Sequence, residues 1–430
     1  MAGMSLFKHS KLHLAPDAGR TVIRPFDPQY PDAFKDNAPS RMERIVDAVL
    51  GMDSAQLAAR RHDMVESLDH RHRNLEQLLL RRYEEVAQRV PAAASASNAA
   101  KPIIGAYFSE EYSFEAAALF NPSMVLDPDQ NGAPDGGVRF LLSLRGIGEG
   151  HISSVTFRTG SWSPKHGFTV DKASETAISP RIEDADVSVD GVTRILCGGS
   201  RNPSESVLFP VTPSQRQGIE DLRMCRFVDD DGAVEYLGTY TAFDGRSARS
   251  ELLRGFAHNE FEMHPMSGSA AEAKGMALFP RRIDGRYVML GRQDNENIWL
   301  LRSDDLYTWD GGDILIQPKF PWDLCQMGNC GSPIELDEGW LVITHGVGMV
   351  RNYSIGAALL DKGDPSKVLA RTAEPILSPS PNERDGYVPN VVYSCGAMVH
   401  DRTLLLPYGI ADNFAAFASC KVDDLLTAMI

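Results

Sequence analysis

Apolar and polar positions follow three different rhythms along the 430-residue chain. From Ser40 to about Val90, Met42, Ile45, Val46, Val49 and Leu50 recur at helical spacing, and residues 57–90 are rich in Arg, Glu, Leu and Ala without Pro or Gly. This predicts a helical module, with Asp53-Ser54 as a break and cap between two helices. Ahead of it, Pro16, Pro25, Pro28, Pro31 and Pro39 stand too close together for long regular elements. Residues 1–39 are therefore expected to be an irregular arm, with one short strand at 20–25. Residues 91–100, almost all Ala and Ser, read as a loose connection and a domain boundary.

The third rhythm fills residues 101–430. Short apolar, β-branched runs at 138–144, 152–158, 192–196, 224–228, 236–241, 287–290, 298–302, 340–344, 354–360, 391–399 and 403–408 are separated by Gly, Asp, Asn and Pro. Turn pairs such as Asp231-Gly232 and Asp284-Gly285 bound several of them. No helix longer than about three turns is expected here, so the body is read as all-β. A loose repeat of strand, gap, strand and polar loop recurs at 138–160, 224–244, 287–306, 339–360 and 401–425. Five units of about 66 residues suit a five-bladed β-propeller with an N-terminal α-helical extension.

Composition narrows the partners. A net charge of −15 and a pI near 5.2 provide no basic field for nucleic acid or an anionic membrane. The first residues lack the apolar core of a signal peptide, and no run reaches the ~20 apolar residues of a membrane span. A cytoplasmic location is expected. Six scattered cysteines suit reduced thiols better than a disulfide framework. Cys325 and Cys330 lack a second ligand pair at zinc spacing, and His62, His70 and His72 with Asp63 and Asp69 read as a solvated helix face, so no metal site is assigned. The leucines of that module suit packing on the main domain or on a second subunit, and a homo-oligomer assembled through it is expected.

Candidate chemistry centres on Glu220-Asp221-Leu222-Arg223, which leads into an apolar run. On a regular strand the two carboxylates point to opposite faces, so only one enters a given pocket. A carboxyl in a pocket can protonate a leaving oxygen; an exposed acidic turn is the alternative.

Several segments, in order, resemble glycoside hydrolase family 130, the mannoside phosphorylases and related β-mannosidases built on five-bladed propellers. They are Asn121-Pro122, the Arg145 of Leu142-Ser143-Leu144-Arg145-Gly146, Glu220-Asp221-Leu222-Arg223, where Leu222 replaces the family's proline, Tyr240-Thr241-Ala242-Phe243-Asp244-Gly245, Lys274-Gly275, His345-Gly346, Tyr387-Val388-Pro389-Asn390 and Tyr408-Gly409-Ile410-Ala411-Asp412. The resemblance implies an inverting β-mannoside phosphorylase that releases α-mannose 1-phosphate. Its substrates would be a β-mannoside oligosaccharide and inorganic phosphate, with no other cofactor.

By the same resemblance Asp221 is the general acid, its proton able to pass through a sugar hydroxyl. Asn121, Arg145, Glu220, Arg223 and Asp412 hold sugar, and Arg246, Lys274 and His345 hold phosphate. Each has a plainer reading: Arg145 and Arg223 as ion-pair partners, Lys274 as a solvated loop lysine, His345 as a core histidine, Asn121 and Asp412 as turn residues. Two other functions stay open. One is an inverting β-1,2-mannosidase using Glu251, Glu260 or Glu262 to activate water; the other is a carbohydrate-binding propeller without turnover.

Overall fold

The computed structural model of the protein describes residues 6–30, 39–182, 191–255 and 259–430, so residues 1–5 and 31–38 of the expected arm lie outside the description. The fold is mostly β with few helices. Its contacts define two compact units: residues 1–18, 114–173 and 180–430, and residues 19–113 with 174–179.

In the smaller unit, helices Arg41–Leu50 and Ser54–Leu68 both begin with reciprocal capping boxes, Ser40 with Glu43 and Asp53 with Gln56. Each cap satisfies amide groups that the first turn leaves orphaned, a contribution of about 1 kcal/mol. The run 57–90 is not one helix. It turns at 69–74, where Asn74 is left-handed (φ 55°), before helix Leu75–Arg89.

Residues 91–100 are also not a loose connection. A 3-10 turn at Pro91–Ser95 leads to helix Ala100–Tyr107, and Ala93, Ala96 and Ala100 pack with Val46, Val86 and Ile104. Alanine gives no periodic sign of burial, so a tightly packed segment read as a linker. Gly105 explains the closeness: a Cβ there would lie 1.9 Å from the Leu79 carbonyl oxygen. Strand Ser109–Ser113 then pairs with Thr21–Pro25, so this unit ends at Ser113 and not near Ala100.

The larger unit is built of antiparallel strands. All eleven predicted runs fall on strands, the run at 391–399 being split into Val392–Tyr393 and Met398–His400. Strand Lys8–Leu14, assigned to the irregular arm from its sequence, pairs with Phe414–Lys421. The sheet containing Ala118–Leu126, Val138–Ile147 and Ser153–Ser163 joins the one beginning at Gly218–Val228 through a single parallel bridge, Gly218 to Ser153.

Apolar layers fill the space between successive sheets. Phe227 and Leu252 pack with Leu278 and Met289; Phe279 and Leu300 with Trp340 and Val342; Ile343 and Ile355 with Leu404 and Leu406. Phe140 and Leu142, from the first of these sheets, pack with Leu405 and Phe417 from the last. Period-two alternation makes this possible, because each strand offers apolar side chains to both neighbouring layers.

Candidate active site

Two strands depart from regular pairing at facing positions. In Ala118–Leu126 the register shifts between Phe120 and Ser123, and Asn121 is left-handed (φ 47°). In Gly218–Val228 it shifts between Glu220 and Arg223, and Asp221 is left-handed (φ 55°). Each such backbone costs about 1–3 kcal/mol and survives only where its surroundings fix it. Ser123 Oγ accepts the Met224 amide at 3.0 Å and ties the two bulged strands together. At Gly409 a Cβ would lie 3.0 Å from the Asn121 amide nitrogen, so glycine leaves room for the turn.

The bulge overturns the opposite-faces expectation for Glu220 and Asp221, because an extra residue resets the period of two. Both carboxylates meet Arg145: Nη2 donates to Glu220 Oε1 at 2.7 Å and Nη1 to Asp221 Oδ1 at 3.4 Å. Arg145 Nε donates to Ser153 Oγ at 2.7 Å, and that hydroxyl donates to the Ile219 carbonyl at 2.8 Å. Asn121 Nδ2 donates to Asp221 Oδ1 at 2.7 Å. An ionised carboxylate only accepts, so the amide nitrogen must face it, leaving Asn121 Oδ1 buried with no donor among the described residues.

Asn121, Arg145, Glu220 and Asp221 line a cavity of about 170 Å³ together with Arg223, Lys274 and Asp412. It also takes in Arg292, Arg351, Tyr353 and Tyr393, which the sequence reading missed. A signal for Arg292 was available: it follows the wholly apolar end of strand Tyr287–Gly291, where an arginine needs a reason. Tyr393 was hidden within an apolar run, where a phenol looks like core.

Arg223 and Arg292 are 3% and 8% exposed. Arg223 Nη2 donates to the Tyr393 hydroxyl at 2.5 Å, and Arg292 Nη1 to His345 Nε2 at 3.2 Å. Among the described residues neither guanidinium has a carboxylate within ion-pair distance, and the Nε of each finds no acceptor. The ion-pair reading holds for Arg145 and not for Arg223.

His345 lies behind Arg292 and outside the cavity lining, stacked on Tyr353 at 6.0 Å and edge-on to Tyr393 at 4.9 Å. Burial first, then the charges of Arg292 and Arg223, hold it well below its ordinary pKa. It is a neutral imidazole whose Nε2 must be the acceptor, since arginine has only donors. Arg246 is placed elsewhere altogether, in the exposed turn at 244–247 with its amide on Asp244 Oδ1. A turn of such composition is solvated, and only the resemblance had brought Arg246 to the site.

The three glutamates considered as bases also lie outside the cavity. Glu251 is buried under hydrogen bonds from Ser214, Gln215 and Tyr240, Glu262 pairs with Arg194 and His264, and Glu260 is an exposed strand residue.

The cavity carboxyls are electrostatically distinct. Burial alone would raise Asp221, but Arg145, Arg223, the Asn121 amide and Lys274 outweigh it and hold the carboxyl below its ordinary value. Asp412, on a left-handed turn (φ 51°), is raised to about 6 by burial and then by the charge of Asp221. Tyr393 is kept a neutral phenol chiefly by burial.

A strand-built cavity with bulge-mounted carboxyls and buried guanidiniums is a polar-ligand site on a mostly β scaffold. The sequence model of glycoside hydrolase family 130, described as beta-1,4-mannooligosaccharide phosphorylase, matches residues 176–430, and the chain belongs to this family. Relatives include a 1,2-beta-oligomannan phosphorylase of Thermoanaerobacter sp. (strain X514), 42% identical over 51% of this chain and 73% of its own length. A beta-1,2-mannobiose phosphorylase of Listeria innocua is 33% identical over 51% of this chain and 62% of its own length. The solved structure of a Listeria innocua beta-1,2-mannobiose phosphorylase with beta-1,2-mannobiose shares the fold, with a TM-score of 0.53 and 24% identity over 74% of this chain and 92% of that one.

Proposed function

We propose that the chain is an inverting β-mannoside phosphorylase that transfers a mannosyl group from a β-mannoside oligosaccharide to inorganic phosphate, giving α-mannose 1-phosphate. One observation carries the choice of phosphate. Arg223 and Arg292 are buried in the cavity with no carboxylate within ion-pair distance among the described residues, and Lys274 joins them. Buried unpaired charge is costly, and a dianion held between guanidiniums offsets that cost while presenting an oxygen for attack. Of the carboxylates that could activate water for hydrolysis, Glu251, Glu260 and Glu262 lie away from the cavity, and Glu220 and Asp221 within it are engaged by Arg145 and Asn121.

In this reading Asp221 delivers a proton to the leaving oxygen, directly or through a sugar hydroxyl. Glu220, Asn121 and Asp412 hold sugar hydroxyls, and Arg145 fixes the two bulge carboxylates. His345 acts through Arg292, and Arg246 drops out. The cationic surroundings keep Asp221 ionised until phosphate arrives. The incoming dianion offsets those charges, raises the proton affinity of Asp221 and arms the acid together with the nucleophile.

The scaffold we propose is a five-bladed propeller. Support comes from the sheets in chain order, an eleven-stranded sheet whose two halves meet at the Gly218–Ser153 bridge, then a four-stranded and two five-stranded sheets, the last completed by strand Lys8–Leu14, and from apolar layers that run from each strand group to the next and from last to first. No described helix is long and apolar enough to cross a membrane. A cytoplasmic enzyme assembled through its helices suits the smaller unit.

The test is incubation with β-1,2- and β-1,4-mannobiose, with and without phosphate. Mannose 1-phosphate formed only when phosphate is present is the expected result. Free mannose released at equal rate without phosphate would overturn the assignment.

A further inference from the structure

The hairpin turn at 146–152 reappears 200 residues later at 346–352. Gly148 and Gly348 have φ/ψ of −117/−157° and −104/−155°, and each begins a one-turn 3-10 segment. Gly150 (φ 71°) and Val350 (φ 59°) are both left-handed, as are His151 (φ 56°) and Arg351 (φ 53°). Glycine adopts this backbone without strain, whereas a β-branched residue rarely does. The second turn therefore keeps a valine where the first shows that glycine fits.

Among the described residues Val350, Met349 and Tyr387 are the three most exposed large apolar side chains, at 87%, 82% and 78%. Single exposed apolar residues need no explanation, but these three flank Arg351 and Val388, which line the cavity. The ring of Tyr387 lies 5.6 Å from that of His151, which comes just before the strand whose Ser153 holds Arg145. On the other side, the Val388 amide donates to the Ala411 carbonyl beside Asp412. The cavity is small and open, and this rim borders it at Arg351 and Val388.

We propose that Tyr387 with His151, and the Met349–Val350 tip next to the cavity-lining Arg351, form a ledge that binds the sugar units beyond the cleaved linkage and makes oligosaccharides of three or more units the preferred substrates. The inference rests on the β-mannoside reading. A pyranose presents apolar C–H faces and polar edges, and an exposed phenol ring next to an imidazole offers a flat apolar surface with hydrogen-bonding groups at its border. Continuity with the cavity makes the occupant the same oligosaccharide chain and not a separate partner.

The experiment measures Kd by calorimetry for β-mannobiose, β-mannotriose and β-mannotetraose on the full chain without phosphate, and separately follows mannose 1-phosphate release with it. The unsubstituted protein should bind the triose about tenfold more tightly than the biose, the size of one good ring contact. In Tyr387→Ala that ratio should collapse towards one, Tyr387→Trp should retain it, and Val350→Gly, which the backbone accommodates, should reduce it. No length preference in the unsubstituted protein, or a preference unchanged in Tyr387→Ala, overturns the ledge. Length-dependent binding without any mannose 1-phosphate would instead leave the ledge standing and sink the phosphorylase reading.

Discussion

Asn121 and Asp221 sit on left-handed bulges of two different strands and meet through one hydrogen bond of 2.7 Å. Each bulge aims a side chain that a regular strand would have directed elsewhere, so the acid's position depends on two strained residues and not on one. Asp221→Asn should lower kcat by about 10²–10⁴-fold while retaining sugar binding, the usual effect of losing a positioned acid. Asn121→Ala should lower kcat/KM by about tenfold or more, the loss of one hydrogen bond to a charged group. Steady-state kinetics with calorimetric sugar binding check both; full activity in Asp221→Asn would remove it from the mechanism.

The unpaired arginines set function against stability. Arg292→Met should raise KM for phosphate at least about tenfold, since a charge-assisted contact is lost. It should also raise Tm in phosphate-free buffer, because a buried uncompensated charge is replaced by apolar volume. Phosphate at 100 times its Kd should stabilise the unsubstituted protein by about 2.7 kcal/mol. A melting curve of the variant that still shifts fully with phosphate would place the anion elsewhere.

Asp412 predicts a pH-dependent penalty. Its carboxyl is raised from 3.8 to about 6 by burial and then by Asp221. A raised carboxyl binds protons more tightly in the folded chain, so its contribution to stability is present below pH 3.8 and lost as pH rises through about 6. The loss is at most about 3 kcal/mol. Asp412→Asn should therefore melt higher than the unsubstituted chain at pH 7.5, with the gap narrowing towards pH 5, and should bind sugar more weakly. A gap independent of pH contradicts this account.

Anion binding should carry a proton. Sulfate, which does not titrate in this range, should bind near pH 5 with net proton uptake, seen as calorimetric heats that vary with buffer ionisation enthalpy. Asp221→Asn should reduce that uptake; identical heats in the two proteins would mean that the anion and the acid are not coupled.

The sequence disclosed what periodicity and turn chemistry encode. The apolar runs marked strands, and Asp53 marked a helix start because capping is local. It concealed whatever depends on an irregular backbone or on distant partners. Glu220 and Asp221 share a face only because of a bulge that period-two reasoning does not anticipate. Lys8–Leu14 becomes a strand through a partner some 400 residues away. At the site, motif resemblance found seven cavity residues, Asn121, Arg145, Glu220, Asp221, Arg223, Lys274 and Asp412, but carried along Arg246 and His345, which do not line it. It passed over Arg292, whose role comes from having no carboxylate within ion-pair distance among the described residues, a property of the packed structure alone.

The pairing of Lys8–Leu14 with Phe414–Lys421 also governs the order of events during synthesis. Strand Lys8–Leu14 must wait for a partner made about 400 residues later. At ~5–20 residues per second, the ribosome needs roughly 20–80 s to supply its partner. During that interval both strand edges are open to other chains, and an early stop anywhere before Phe414 leaves the edge permanently unpaired. Misassembly of truncated products is thus built into this long-range pairing.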